Sequence, residues 1–308
     1  MRKKAWIKLL LFIMPLLLVL SACARTEAPK GGEEGEAKIR VASKPFTESY
    51  ILAEIMMQLL AQDTKLTVEY KAIEGGTTSI LHPALMKGEI DLYPEYTGTG
   101  WLDVLKKGNT PKDSQELYRA VKEEYLKEYN LVWLPMFGFN NTFTLALTAE
   151  KQQEDQLKTF SDLSKVANQY VFGSEPDFFE RKDGYEGLVQ AYGFQFKKAE
   201  QMAIALKYPA IDSGKVDVIN AFSTDGLLKR YNMVTLQDDK NYFPSYFCAP
   251  VVRKDVLEKH PEIETALKKL EGQITDEDMT EMNYKVDEKK LDPKQVAKEF
   301  LESKGLLK

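Results

Sequence analysis

The chain has 308 residues, enough for about two domains of ordinary size. Its hydrophobic share of 44% and charged share of 29% are those of a globular protein with a core of its own. The net charge of −5 gives no footing for a polyanion, so nucleic-acid binding is not expected. With two His and no Walker loop, Gly-x-Ser-x-Gly or His-Glu-x-x-His motif, the simplest enzyme readings drop out.

Residues 1–22 read as a secretion signal. Arg2, Lys3, Lys4 and Lys8 give it a positive start, and Leu9 to Leu20 form an uncharged apolar run. That run rises only about 18 Å as a helix, short of a hydrocarbon core of about 30 Å. Leu20-Ser-Ala-Cys23 then resembles a bacterial lipobox, in which Cys23 is diacylated and becomes the mature N-terminus. Residues 23–37 are polar, rich in Gly and Glu and without period, as expected of a flexible tether. Lipidation of Cys23 leaves Cys248 alone, so packing rather than a disulfide must hold the fold.

Lys38 to Ala42 alternates as a strand, and Tyr50 to Ala61 carries Ile51, Leu52, Ile55, Met56, Leu59 and Leu60 on one helical stripe. Leu66 to Ala72 alternates again, and Gly75-Gly-Thr-Thr78 opens a helix through Met86. Strand–loop–helix repeated twice predicts an α/β fold with a parallel sheet and helices on both sides. Ligands in such sheets bind beyond the carboxyl ends of the strands. The loops 43–46, 75–78 and 96–100 all fall there, which gathers Lys44, Thr77, Tyr96 and Thr99. Leu92-Tyr-Pro-Glu-Tyr-Thr-Gly-Thr-Gly-Trp101 reads as a binding loop, with Gly98 and Gly100 freeing its backbone. Asp113 to Tyr129 is an amphipathic helix, and Leu131 to Leu134 a strand.

Thr142 to Ala149 reads as a strand able to cross between lobes. Ser161 is the expected cap of a helix ending near Ala167, Tyr170 to Gly173 a strand, and Ala199 to Tyr208 a helix. Ser213-Gly-Lys-Val-Asp-Val repeats the punctuation of Lys87-Gly-Glu-Ile-Asp-Leu, and each strand runs into an aromatic and a Thr/Gly loop. Two lobes built alike are therefore expected: 38–141 plus 247–308, and 142–246. The return runs through Tyr242 to Val252, and the helices Val256 to Glu271 and Asp276 to Gly305 close the first lobe.

Ser43-Lys-Pro-Phe-Thr-Glu-Ser49, Tyr93-Pro-Glu-Tyr-Thr-Gly-Thr99, Asn140-Asn-Thr-Phe143, Phe179-Glu-Arg-Lys-Asp-Gly184, Ala221-Phe-Ser-Thr-Asp-Gly226 and Phe243-Pro-Ser-Tyr246 together carry a resemblance. They resemble, in order and over nearly the whole mature chain, the quaternary-ammonium-binding lipoproteins of bacterial ABC importers for osmoprotectants. The resemblance implies a two-lobed, type II periplasmic-binding-protein fold with the ligand between the lobes. It implies a permease and an ATPase as partners, and a lipid anchor at the outer face of the cell membrane. The family's ammonium sits in an aromatic cage, commonly four Tyr; by position the rings are Tyr96, Phe143, Phe222 and Tyr246, two of them Phe here. Lys44, Arg181 and Thr99 are implied for a carboxylate, and Asn141 is carried over with the Asn140 to Phe143 motif. Lobe closure would hinge at 140–143 and 244–247.

The expected function is extracytoplasmic capture of a carboxylated quaternary ammonium compound: glycine betaine, proline betaine or carnitine. Choline would leave Lys44 and Arg181 facing no anion in a closed cleft, which is costly. The two Phe leave room for a bulkier betaine such as ergothioneine. Two further readings stand beside this: an enzyme using Glu48, Glu95 or Asp225 as acid or base, and an amino-acid-binding protein in which the rings are core.

Overall fold

The computed structural model describes residues 38–307. The expected signal segment 1–22, the lipidated Cys23 and the tether 23–37 lie outside the described residues. Among the described residues, ten strands form two five-stranded sheets. The strands are β1 (Lys38–Val41), β2 (Thr67–Tyr70), β3 (Leu92–Tyr96), β4 (Leu131–Trp133), β5 (Phe143–Thr148), β6 (Val171–Ser174), β7 (Lys198–Gln201), β8 (Val218–Phe222), β9 (Met233–Thr235) and β10 (Cys248–Arg253).

The first sheet runs β2-β1-β3-β10-β4 and the second β7-β6-β8-β5-β9. In the first, β1 pairs in parallel with β2 and β3, while β10 is antiparallel to β3 and β4. In the second, β6 pairs in parallel with β7 and β8, while β5 is antiparallel to β8 and β9. The two halves are thus built alike, as their shared punctuation implies. Neither sheet is purely parallel, however. The reason is topological: β5 and β10 are the strands by which the chain arrives from the other sheet, and each enters against the local direction.

Alternation does the packing. On β3 and β10, Leu92 and Val252 point into the cluster that includes the helix α1 (Thr47–Asp63). Tyr93 and Val251 point into the opposite cluster, with Leu81 and Leu85 of α2 (Thr78–Met86) and Val121 of the helix Ser114–Tyr129. Side chains of successive strand residues face opposite sides, so both faces of the sheet are covered. The stripe Ile51, Leu52, Ile55, Met56, Leu59 and Leu60 on α1 is fully buried.

Four local expectations change. The helices expected over 256–271 and 276–305 each break in two, as Lys254–Lys259 with Glu262–Leu267 and Asp276–Asp287 with Pro293–Ser303. Thr159, not Ser161, caps the helix Phe160–Val166, in a box with Asp162. Residues 199–208 are not one helix: β7 covers Lys198–Gln201, and a helical turn resumes only at Ile204. The stretch 92–101 is not a loop either: Leu92–Tyr96 is strand, and Thr97 to Val104 wind into one helical segment that widens to a π turn at Gly100–Val104.

The two crossover segments run side by side. Asn140 and Phe247 form an antiparallel bridge. The Asn141 amide donates to the Tyr246 carbonyl at 3.2 Å, and the Tyr246 amide to Asn140 Oδ1 at 2.7 Å.

Candidate functional site

The carboxyl ends of the parallel strands open on one cleft of about 580 Å3. Such a volume suits a small solute. Lys44 stands after β1, Thr77 after β2, and Tyr96 and Thr99 at and after the end of β3. From the second sheet come Arg181, beyond β6, and Phe222, the last residue of β8. Asn141, Phe143 and Tyr246 arrive on the crossovers. All eight residues expected at the site line this one cleft.

The rings are brought together by strand register. Phe143 on β5 lies directly across from Phe222 on β8, with ring centroids 5.1 Å apart. Tyr246 meets the edge of Phe143 at 5.4 Å. Tyr96 lies across from Cys248 on β10, two residues after Tyr246. A fifth ring completes the series: Phe46 stacks on Phe222 at 6.1 Å and on Tyr96 at 6.4 Å. Phe46 is not among the four rings expected of the cage; it lies in the Ser43–Ser49 motif, and only the fold brings its ring against both Tyr96 and Phe222.

The tyrosine hydroxyls are anchored rather than free. Tyr96 donates to Glu48 at 2.6 Å, and Tyr246 donates to Asp183. Burial, with those carboxylates nearby, pushes both phenols well above their ordinary pKa. Glu48 is 2% exposed and also accepts from Asn141 at 2.7 Å, Thr224 at 2.6 Å and Asn283 at 3.2 Å. Burial raises its pKa against the pull of those four donors. The other amide atom of Asn141, Oδ1, is buried with no hydrogen-bond partner.

The two cations already have internal anions. Lys44 donates to Glu95 at 2.5 Å, with its Nζ 4.9 Å from the centre of the Tyr96 ring. Glu95 is held by Thr78, Tyr93 and the Tyr96 amide, at 2.9, 3.1 and 2.8 Å. Arg181 grips Asp183 bidentately at 2.9 and 2.7 Å, reaches Asp103 at 2.5 Å, and lies 5.2 Å over the Phe143 ring. Burial opposes its charge, but Asp183 and Asp103 more than offset that and raise its pKa. Contrary to expectation, choline would therefore strand neither cation, since each has a carboxylate before any ligand arrives. Asp103 lies beyond the 92–101 stretch read as a loop, and only the helical turn Gly100–Val104 brings it to the cleft.

Residues 37–303 match the model of the OpuAC family, the substrate binding domain of ABC-type glycine betaine transport systems. The chain belongs to the OpuAC family. It is 42% identical over 94% of its length to the ergothioneine transport permease/ergothioneine binding protein EgtU of Helicobacter pylori, of which it spans about half, 52%. It is 34% identical to the carnitine transport binding protein OpuCC of Listeria monocytogenes, with 98% of this chain and 97% of that one covered. A crystal structure described as a glycine betaine/carnitine/choline ABC transporter superposes with a TM-score of 0.73 at 32% identity, covering 87% of this chain and 99% of that one. The fold is accordingly the two-lobed one of periplasmic binding proteins, and OpuAC domains are extracytoplasmic substrate-binding components of ABC import. Among the described residues, no helix is long and apolar enough to cross a membrane.

Proposed function

We propose that the protein captures a betaine outside the cytoplasm and delivers it to an ABC permease driven by an ATPase. The observation that carries this reading is the convergence of Tyr96, Phe143, Phe222 and Tyr246, with Phe46 between them, on the cleft that also holds Lys44 and Arg181. A trimethylammonium has no N–H to donate, so hydrogen-bond acceptors grip it poorly while aromatic faces attract it. Each desolvated ring is worth about 0.5–2 kcal/mol. Micromolar binding needs about 8 kcal/mol, so the far end of the ligand must be held as well. Lys44 keeps donors beyond the one given to Glu95, and Arg181 uses three of its five N–H groups on Asp183 and Asp103. The remaining donors, with Thr99, are those offered to a carboxylate. The lone Asn141 Oδ1 suits the polarised methyl hydrogens of the cation.

Within that class, a betaine bearing an aromatic ring is the second reading. The 42% identity to a relative named for ergothioneine favours it. So does the room beyond the rings, along Thr77, Ser79 and His82 of the same cleft. Glu48, Glu95 and Asp225 are acceptors for structural donors and do not line the cleft, which supports binding without chemistry on the ligand. The lobes are taken as 38–141 plus 247–308 and 142–246, and Cys23 as the lipidated residue holding the protein at the outer face of the cell membrane.

Calorimetric titration with glycine betaine, carnitine, ergothioneine and choline tests the reading. Saturable binding of at least one carboxylated member is expected, and no heat from any of the four refutes it. For the anchor, Cys23→Ser should release the protein into the medium; retention at the membrane argues against lipidation.

A further inference from the structure

Asp103 stands on the wall built by the first sheet, one turn after Thr99 in the wide helical turn Gly100–Val104. Arg181 stands on the opposite wall, at the end of the helix Pro176–Glu180. Their ion pair, Asp103 Oδ2 to Arg181 Nη1 at 2.5 Å, joins the two walls, with the side chains 21% and 8% exposed.

The charge balance around this pair is unusual for a site meant to receive an anion. One guanidinium faces two carboxylates, Asp183 and Asp103. Lys44 is matched one to one by Glu95. The side chains lining the cleft include three basic residues, Lys44, Lys106 and Arg181, against four acidic ones. A ligand carboxylate approaching Arg181 thus meets a centre that is already more than neutralised. Asp183 is tied down elsewhere, since it also receives the Tyr246 hydroxyl, and it belongs to the same wall as Arg181. Asp103 is the acid that reaches over from the other side.

We propose that Asp103 is a specificity-determining residue of this cleft: held against Arg181 across the two walls, it lowers the affinity for a ligand carboxylate relative to a ligand hydroxyl. The physical cause is discrimination by a built-in repulsive element. A carboxylate beside Arg181 lies close to a like charge in a cleft of low dielectric, whereas a hydroxyl carries no such charge and can donate to Asp103. The inference rests on the reading that the cleft takes a quaternary ammonium compound.

The test uses the full chain and the substitution Asp103→Asn, which keeps an acceptor for Arg181 Nη1 and removes only the charge. Glycine betaine and choline are titrated into both proteins at one pH and one salt concentration. The ratio of the choline Kd to the glycine betaine Kd is expected to rise by roughly tenfold, the size of effect one well-placed like charge exerts on a neighbouring ionised group. Asp103→Glu, which restores the charge, should bring the ratio back towards its starting value. A ratio that stays within about twofold overturns the inference, including the case where both affinities fall together because Asp103 only ties the lobes. A ratio that falls overturns it as well. A wild-type protein that binds neither ligand removes the quaternary-ammonium reading and this inference with it. A wild type that binds, followed by an unchanged ratio, removes this inference alone.

Discussion

At the scale of the residue, the proposed site combines two kinds of grip with different sensitivities. Removing one ring takes away a non-directional attraction, so Tyr96→Ala or Phe46→Ala should weaken betaine binding by about 2- to 30-fold. Titration calorimetry reads this directly, and an unchanged Kd would take that ring out of the cage. Arg181→Ala should cost more, roughly 2–5 kcal/mol of binding, because it also leaves Asp103 and Asp183 facing the ligand without a cation. An affinity within twofold of the wild type would show that Arg181 serves the fold and not the ligand. Why the residue list was legible is also a residue-scale matter. The strand-end loops mark Lys44, Tyr96 and Thr99, while Arg181, Phe143, Phe222 and Tyr246 are legible through the motifs that carry the family resemblance. Phe46 and Asp103 escaped because what marks them is a neighbour: the rings of Tyr96 and Phe222 for one, Arg181 for the other. Neither neighbour is close in sequence.

At the scale of the element, strand register does the assembling. Pairing of β5 with β8 sets Phe143 against Phe222, and pairing of β10 with β3 sets Cys248 against Tyr96, with Tyr246 just ahead of it. A slip of one residue in either pair would turn a cage ring away from the cleft. The helical turn after β3 adds a steric condition, because a Cβ on Gly98 would stand 2.6 Å from a ring carbon of Tyr246. Gly98→Ala should therefore displace that ring and weaken binding, at a stability cost of about 1–3 kcal/mol for the overpacking. Comparing ligand Kd and thermal midpoint in the same variant checks this; a variant with both unchanged would show that the turn relaxes freely. The elements misread from sequence have local causes. Thr159 and Ser161 are both plausible caps, and the reciprocal bond to Asp162 decided between them. Residues 198–201 became a strand because β6 offers them a parallel edge, which outweighs their helical pattern.

At the scale of the whole molecule, the crossovers pair at Asn140 and Phe247, and the Glu48 hub joins α1, Tyr96, Asn141 and Thr224 beside them; a hinge there is the expectation that scattering tests. Lobe closure on a ligand should reduce the radius of gyration in X-ray scattering, and identical curves with and without a bound betaine would argue against it. Stability should also depend on pH in two opposing ways. Asp162 has its carboxyl held down to about 2 by Lys165 and Thr159. A lowered carboxyl contributes stability above its unfolded pKa and loses it as the pH falls, though an exposed pair such as this one contributes little. Glu48 and Asp103 are raised by burial. A raised carboxyl takes up a proton on folding, so stability declines as the pH climbs from its ordinary value, 4.5 for Glu48 and 3.8 for Asp103, towards its folded pKa. The thermal midpoint should thus peak in mildly acid solution, and Glu48→Gln should flatten the decline above it. A decline of the same slope in that variant would assign the effect to other groups.

The sequence by itself determined the α/β alternation, the repeated strand and turn punctuation and, through the motifs that carry the family resemblance, eight residues of the cleft. These follow from local pattern: apolar period, turn chemistry and motif spacing are written in consecutive residues. Only the tertiary structure decided that both sheets are mixed, that Phe46 closes the row of rings, and that Lys44 and Arg181 already have anions of their own. Those facts depend on partners dozens of residues apart, such as Asp103 and Arg181. Crossover strands that enter from the other lobe bring such partners together, and nothing in the neighbouring sequence records the meeting.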